Sequence, residues 1–202
     1  MIGVFGGTFD PPHLGHLILA EHALGELGLE AVLWVLTPRS PLKPDGEPAS
    51  VAARSRLVRA AIDSNPRFRL SSVEIDRQPP YLAVETVERL QAADPGAGLV
   101  YLLGSDALRE LPRWHEPARL VSLCAALGVM DRSGHAADAA QIDEGIPGLL
   151  AKVRPFRVPR VEISARDIRH RVRQGLSIRY LVPEVVRELI ATEELYRSGG
   201  DA

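Results

Sequence analysis

The chain has 202 residues, a formal net charge of −2 at pH 7 and 46% hydrophobic residues. That length is enough to bury a full hydrophobic core in one domain, so no cofactor or disulfide is needed to explain its stability. The sequence pI near 6.3 excludes the strongly basic surface that is typical of non-specific nucleic-acid binding.

Apolar runs alternate with helical patterns along the chain, which indicates strand-helix units that build a parallel sheet. The predicted strands are residues 2–5, 31–37, 68–75, 99–104, 125–130 and 156–163. The predicted helices are residues 14–27, a helix capped by Ser50 and reaching Ile62, 83–93, one or two short helices in 107–121, then 165–174 and 183–193. We therefore expect a Rossmann-like, doubly wound α/β fold.

One domain with a small C-terminal helical part, about residues 164–197, accounts for this pattern. We expect residues 198–202 to be disordered and residues 131–143 to form a mobile loop. The single cysteine, Cys124, is predicted to be a small core residue. The N-terminus has no signal-peptide pattern and no apolar run approaches the roughly 20 residues that span a bilayer, so we expect a cytoplasmic protein without a membrane partner.

A doubly wound sheet binds ligands at the carboxyl ends of its strands, where the strand order reverses. The predicted chemistry therefore lies just after Phe5, Thr37, Gly104 and Met130. Phe5 is followed at once by the run GGTFDPPHLGH. Its two glycines let the backbone approach a ligand closely, and the helix that follows offers unpaired N–H groups and a positive dipole end. This arrangement predicts a phosphate cradle.

His13 and His16 stand three residues apart, so on a helix they share a face. Gly15 between them is expected to leave room for the ligand. Metal ligation is the less favoured reading, because zinc usually takes three or more protein ligands and no third candidate lies nearby. The alternative without function is a glycine-rich turn followed by histidines that merely cap a helix.

These residues closely resemble the nucleotidyltransferase superfamily that carries a histidine, any residue, glycine, histidine motif after its first strand. The preceding GGTFDP resembles the bacterial nicotinate mononucleotide adenylyltransferases in particular. The resemblance covers nearly the whole chain and implies a nucleotidyltransferase domain over residues 1–197. The ATP contacts that it implies are Gly6, Gly7, Thr8, Phe9, His13, His16, Gly104, Asp106, Ser164, Ile168 and Arg169.

Two later motifs support this resemblance. The triplet Gly104-Ser105-Asp106 is similar to the family's nucleotide-contacting triplet, so Asp106 is expected to accept a hydrogen bond from a ribose hydroxyl, with a helix N-cap as its structural alternative. The run ISARDIR at residues 163–169 resembles the second signature, in which Ser164 caps a helix and Arg169 meets the triphosphate. Alanine and arginine stand here where hydroxyl residues are common in the family.

The acceptor side is predicted from the same resemblance. Trp114 is expected to stack on the pyridine ring, and Lys43 to offer a mobile positive charge. Leu42 replaces a histidine that is usual before this lysine, and a leucine stands at position 82 where a hydroxyl residue is usual. The implied acceptor contacts are Thr8, Lys43, Tyr81, Leu82, Trp114 and Arg132.

The resemblance implies transfer of the adenylyl group of ATP to nicotinate mononucleotide, giving nicotinate adenine dinucleotide and pyrophosphate. His13, His16, Lys43 and Arg169 would be the catalytic residues, and Mg²⁺ would be carried by ATP without protein metal ligands. The alternatives are nicotinamide mononucleotide, phosphopantetheine or glycerol phosphate as acceptor, and a non-catalytic ATP sensor. An RNA-charging enzyme would need a longer chain and a basic surface. A homo-oligomer stays open.

Overall fold

The structure is a computed structural model, and it describes residues 1–39, 48–131 and 145–197. The strands in these ranges are β1 (Ile2–Gly7), β2 (Ala31–Leu36), β3 (Phe68–Ser71), β4 (Leu99–Gly104), β5 (Ala126–Asp131) and β6 (Val153–Arg157). The helices are α1 (Leu14–Glu26), α2 (Val51–Ile62), α3 (Ala83–Ala93), α4 (Ser105–Glu110), α5 (Pro117–Leu123), α6 (Leu149–Lys152), α7 (Ala165–Arg173) and α8 (Glu184–Thr192). Of the loop predicted over residues 131–143, Asp131 is the last residue of β5. The rest of that loop and the tail 198–202 lie outside the described residues.

The six strands form one parallel sheet in the order β3-β2-β1-β4-β5-β6. Strand order reverses at β1, which pairs with β2 on one side and with β4 on the other. The prediction of a Rossmann-like, doubly wound sheet is therefore confirmed. Such a reversal leaves a crevice at the carboxyl ends of β1 and β4, where ligands bind in this class of fold.

The core lies on both faces of the sheet. Successive side chains of a strand point to opposite faces, and accordingly Val4 belongs to one buried cluster and Phe5 to the other. Cys124 is buried in the same cluster as Val4, and burial raises the pKa of its thiol to about 12. The prediction that Cys124 is a core residue is confirmed.

Two strands differ from the sequence prediction. β3 ends at Ser71 instead of residue 75, because the Asp76 amide donates to the Ser72 carbonyl (2.9 Å) and closes a turn there. The last strand is Val153–Arg157 rather than 156–163. β6 ends where its partner strand ends, because Arg157 pairs with Asp131, the last residue of β5.

The helices follow the predicted pattern with local corrections. The region predicted as one or two short helices is divided into α4, the 3-10 helix Leu111–Arg113 and α5. A proline occupies the first or second position of both the 3-10 helix and α5, where its missing N–H costs nothing. The short α6 was not predicted. In the parts of the chain that the structure describes, no helix has the length and apolar character needed to cross a membrane.

Candidate active site

A cavity of about 350 Å³ opens at the carboxyl end of β1. Its walls come from the turn between β1 and α1, the first turns of α1, the end of β5 and the segment that follows β6. The sequence-predicted residues that line it are Gly6, Gly7, Thr8, Phe9, His13, His16 and Ser164. The cavity thus lies at the reversal of strand order, where the topology rule places ligands.

The other predicted contacts lie elsewhere. Among the described residues, the walls of this cavity do not include Gly104, Asp106, Ile168, Arg169, Tyr81, Leu82 or Trp114. Lys43, Leu42 and Arg132 lie outside the described residues. The cavity therefore gathers the first motif and the helix cap of the second motif.

His13 and His16 form a stacked pair at the start of α1. Their ring centroids are 3.6 Å apart and the planes differ by 26°. His13 is the N-cap residue, with an extended backbone, and its N–H donates to Nδ1 of His16 at 3.2 Å. Because Nδ1 of His16 accepts this bond, the neutral His16 ring carries its proton on Nε2. The motif spacing thereby sets the tautomer of its second histidine.

His13 is a neutral group at pH 7. Only 7% of the residue is exposed, and this burial lowers the pKa of its imidazole from 6.5 to about 4. Within the described ranges its Nδ1 atom is buried without a hydrogen-bond partner. The sequence interpretation treated both imidazoles as groups that steady negative charge, whereas a neutral His13 ring offers hydrogen bonding without ionic attraction.

The start of α1 also differs from the expected row of unpaired N–H groups. The Leu14 N–H donates to the carbonyl of Leu181 (3.0 Å), and those of His16 and Leu17 both donate to the His13 carbonyl (2.9 and 3.3 Å). Intramolecular bonds thus satisfy much of the first turn, so the side chains and the glycine backbone supply more of the cradle than the sequence suggested.

Gly15 has a steric role in addition to the room that it was expected to leave for a ligand. A Cβ built on Gly15 would lie 3.1 Å from ring atoms of His13. Such a distance is tighter than nine in ten real Cβ contacts. The missing side chain therefore makes room for the His13 ring, and Gly15 itself lines the cavity as well.

Arg169 on α7 is close to the cradle but holds a protein group. Its Nη1 donates to the carbonyl of Asp10 at 2.7 Å and lies 3.6 Å from Oδ2 of the same residue. The Arg169 side chain is 25% exposed, whereas that of Asp10 is 7% exposed. Two elements far apart in sequence, the β1–α1 turn and α7, are thus joined by one guanidinium.

The second motif is partly structural. Ser164 is the N-cap of α7 and its Oγ accepts the Asp167 N–H at 3.1 Å, which confirms the predicted cap. The Ile168 side chain is fully buried in the core and its amide donates to the Ser164 carbonyl at 3.1 Å. The Ile168 side chain therefore anchors α7, and the expected contact of Ile168 with ATP stays a prediction.

The triplet at the end of β4 begins a helix. Gly104 is the N-cap of α4 and Asp106 lies in the first turn, so the alternative reading of Asp106 as the cap is wrong. The Asp106 side chain is 79% exposed and pairs with Arg109 one turn along. A carboxylate there faces solvent beside the crevice at β4.

Two of the predicted acceptor residues, Leu82 and Trp114, pack against the hydrophobic core beside the cavity. Leu82 is the N-cap of α3, and both Leu82 and Trp114 pack against the core cluster that contains Tyr101. The rings of Trp114 and Tyr101 meet edge to face at 6.1 Å. The Tyr101 hydroxyl would lie 3.3 Å from a Cβ at Gly6. Tyr101 therefore connects the tryptophan to the cradle, and sequence reasoning missed it.

Arg54 and Asp10 are the main residues that sequence reasoning overlooked. Both are buried, Arg54 at 1% and Asp10 at 5% exposure. Helical spacing could have identified Arg54, because Val58 and Ile62 repeat on the same face at intervals of four and make that face apolar. An arginine on the buried face of a helix needs hydrogen-bond acceptors, because a buried charge without them is costly.

The parallel sheet and the cavity at its strand-order reversal define a Rossmann-like α/β protein, and the comparisons with known proteins place it among the nucleotidyltransferases. Residues 4–171 match the model of the cytidylyltransferase-like family. A "probable nicotinate-nucleotide adenylyltransferase" of Thermomicrobium roseum is 42% identical over 98% of this chain and 92% of its own length. A protein of the same name from Salinibacter ruber is 38% identical over 97% of each chain.

Solved structures agree on the fold. The Plasmodium falciparum nicotinic acid mononucleotide adenylyltransferase complexed with NaAD superposes with a TM-score of 0.73, at 18% identity and over 96% of each chain. The chain belongs to the cytidylyltransferase-like family and, within it, to the nicotinate-nucleotide adenylyltransferases.

Proposed function

We propose that this protein transfers the adenylyl group of ATP to nicotinate mononucleotide, releasing pyrophosphate and forming nicotinate adenine dinucleotide for NAD biosynthesis. The observation that carries this proposal is the cavity in which the glycine turn and the stacked histidines His13 and His16 meet at the end of β1. The relatives that share nearly the full length of the chain bear the name of this activity.

The proposed reaction needs no general base from the protein. A phosphate monoester has its second pKa near 6, so the 5′-phosphate of the acceptor is largely dianionic at pH 7 and attacks without a general base. Its oxygen forms a bond to the α-phosphorus of ATP while the bond from that phosphorus to the β-phosphate bridging oxygen breaks. Catalysis then consists of positioning and of stabilising charge on the phosphate oxygens.

The two histidines are proposed to share this work unequally. His16 carries its ring proton on Nε2 because Nδ1 is occupied, so it is set as a hydrogen-bond donor. His13, neutral at working pH, stacks on that ring and holds it in one orientation. A donor fixed in advance stabilises a developing oxyanion more than one that must first reorient.

The remaining contacts are proposals that rest on the family resemblance. Arg169 uses Nη1 on Asp10, and a guanidinium has five N–H donors, so the other groups are proposed to meet the triphosphate. Lys43 is proposed as a second cation there. The proposed ribose contact is Asp106, and the proposed acceptor contacts are Thr8, Lys43, Tyr81, Leu82, Trp114 and Arg132.

The metal is proposed to be Mg²⁺ carried by ATP. Among the described residues, no group of three or more His, Cys, Asp or Glu side chains is placed to hold a metal ion. Mg²⁺ prefers oxygen ligands and often keeps several waters when it binds through substrate phosphates. Bound in this way, it would neutralise phosphate charge, and the protein would hold the phosphates themselves.

We further propose that residues 1–197 act as one nucleotidyltransferase domain and that the reaction takes place in the cytoplasm, where ATP is made available. The uniform parallel sheet supports the single domain, since its six strands share one hydrogen-bonded array.

The assay is pyrophosphate release with Mg²⁺ and ATP and one of three acceptors: nicotinate mononucleotide, nicotinamide mononucleotide or phosphopantetheine. We expect the highest kcat/KM with nicotinate mononucleotide. Equal kcat/KM values for nicotinate and nicotinamide mononucleotide would overturn the preference for the acid. This comparison is informative here because a leucine stands at position 82, where a hydroxyl residue is usual in the family. Release with phosphopantetheine alone would overturn the acceptor class, and ATP binding without release would make the protein a sensor.

A further inference from the structure

Arg54 on α2 is a fully buried arginine, and within the described ranges its side chain donates hydrogen bonds to main-chain carbonyls only. Its donors reach four of them: Nε to Ala49 at 2.7 Å, Nη1 to Thr8 at 2.8 Å and Thr37 at 2.9 Å, and Nη2 to Pro38 at 2.7 Å. Thr8 belongs to the cradle, and the other three flank the segment 40–47. One planar group therefore ties the β1–α1 turn to both ends of a neighbouring connection.

A buried guanidinium is an expensive way to stabilise a fold. Burial lowers the pKa of Arg54, while the nearby negative charge of Asp10 opposes that change. Well-packed apolar side chains often replace buried charges without loss of stability, so such a charge is weak evidence for a stabilising role. The fixed fork of the guanidinium, by contrast, holds several acceptors in one geometry. Geometry is thus the better reason for an arginine at this position.

The turn that Arg54 holds needs such restraint. Phe9 has φ of 45°, in the left-handed region that is unfavourable for a residue with a Cβ. Arg54 fixes the carbonyl of Thr8 on one side of it. On the other side, Oδ1 of Asp10 accepts the Tyr196 hydroxyl at 2.7 Å. The strained residue is therefore held from both of its neighbours.

We propose that Arg54 and Tyr196 are positioning residues for adenylyl transfer. Together with Asp10 they form a clamp, which we call the Asp10 clamp, that keeps the β1–α1 turn in the shape that presents its backbone and His16 to the phosphates. Its kinetic readout rests on the proposed function. Neither Arg54 nor Tyr196 lines the cavity proposed for the triphosphate. Arg54 acts through the Thr8 carbonyl, and Tyr196 acts through Asp10, which does line it.

The first test is Arg54→Lys, assayed for kcat and for the KM of ATP. A lysine keeps the charge but is a compact point donor that cannot span four carbonyls. Displacing reacting groups by about 1 Å can cost on the order of 100-fold, so we expect kcat to fall about 100-fold while the KM for ATP changes less than about threefold. The matched control is Arg56→Lys, an exposed position on the same helix that pairs with Glu193, and it should keep wild-type kinetics.

The second test is Tyr196→Phe, which removes one hydroxyl and leaves the aromatic ring to pack. We expect kcat to fall about tenfold with an unchanged KM for ATP, as a milder loosening of the same turn. This variant keeps the proposal testable if Arg54→Lys does not fold, because a single hydrogen bond contributes only on the order of 1 kcal/mol to stability.

Amide hydrogen exchange of Thr8, Phe9 and Asp10 supplies a readout without substrates. Faster exchange at these three amides in both variants, with unchanged exchange in β1 and α2, supports the clamp. If the wild-type protein releases no pyrophosphate but this exchange pattern is observed, the proposed function fails and the clamp stands. A folded Arg54→Lys or Tyr196→Phe protein with wild-type kcat and exchange overturns the clamp. A lower melting temperature with wild-type kcat also overturns it, since the residues would then be structural only.

Discussion

The lowered pKa of His13 predicts that the free energy of unfolding decreases as the pH falls. Burial lowers the pKa of the His13 imidazole from 6.5 to about 4, so the native protein binds this proton less readily than the unfolded chain. Where the unfolded state binds more protons, stability rises with pH. The contribution of the neutral ring is therefore complete above about pH 6.5 and is lost as the pH falls toward 4.

The size of this effect follows from the two pKa values. One pKa unit corresponds to about 1.4 kcal/mol, so full protonation of the unfolded chain against a neutral native His13 lowers the free energy of unfolding by about 3 kcal/mol. At pH 5 roughly two thirds of this loss, about 2 kcal/mol, has already appeared. A domain of this size has only about 5 to 15 kcal/mol of stability, so the loss is measurable.

The assay is denaturant unfolding of wild type and His13→Gln at pH 8 and pH 5. We expect wild type to lose about 2 kcal/mol more than the variant between these values. His115→Gln is the control, because His115 is exposed, and it should follow wild type. Equal pH dependence of wild type and His13→Gln would refute the reasoning, since His13 would then titrate alike in the folded and unfolded states.

Three further outcomes are expected. His16→Ala should lower kcat about 10² to 10³-fold, as the loss of one oxyanion donor does, and near wild-type turnover in pyrophosphate release would exclude that role. Gly15→Ala should lower kcat, because the new Cβ would lie 3.1 Å from the His13 ring. The control Gly25→Ala, on the same helix, should keep the wild-type kcat, because its Cβ would meet no atom within 4 Å. Equal kcat values for the two variants would contradict this prediction. Cys124, with its raised pKa and burial, should react with a disulfide reagent only after denaturant is added, and fast labelling of the native protein would argue against a core position.

Helices and strands with a repeating hydrophobic pattern could be predicted from the sequence. The end of an element could not be predicted where it depends on a contact with a distant residue. The strand-helix alternation sufficed for the parallel sheet and for the place of the crevice, because burial imposes its periodicity on the sequence. The last strand ends at Arg157, which pairs with the final residue of β5, and this limit is set by a neighbouring strand rather than by the local sequence. The Ser164 cap was predictable because its partner, the Asp167 amide, lies three residues away.

The candidate site shows the same division. The run from Gly6 to His16 marks the cradle by local order alone. The neutral state of His13 depends on its burial in the folded protein, and the contacts of Arg54 join segments up to 46 residues apart. The acceptor side was predicted only through the family resemblance, since the contact of Trp114 with Tyr101 is also non-local. Local spacing therefore identifies the motif, while charge state and clamping require the fold.

The most direct test of the central claim is a crystal structure of the protein with Mg²⁺ and a non-hydrolysable ATP analogue. We expect the triphosphate in the cavity between Gly7 and Ser164, with Nε2 of His16 within hydrogen-bond distance of a phosphate oxygen. A triphosphate bound elsewhere, with the histidine pair directed into the protein, would contradict the assignment of this cavity as the catalytic site.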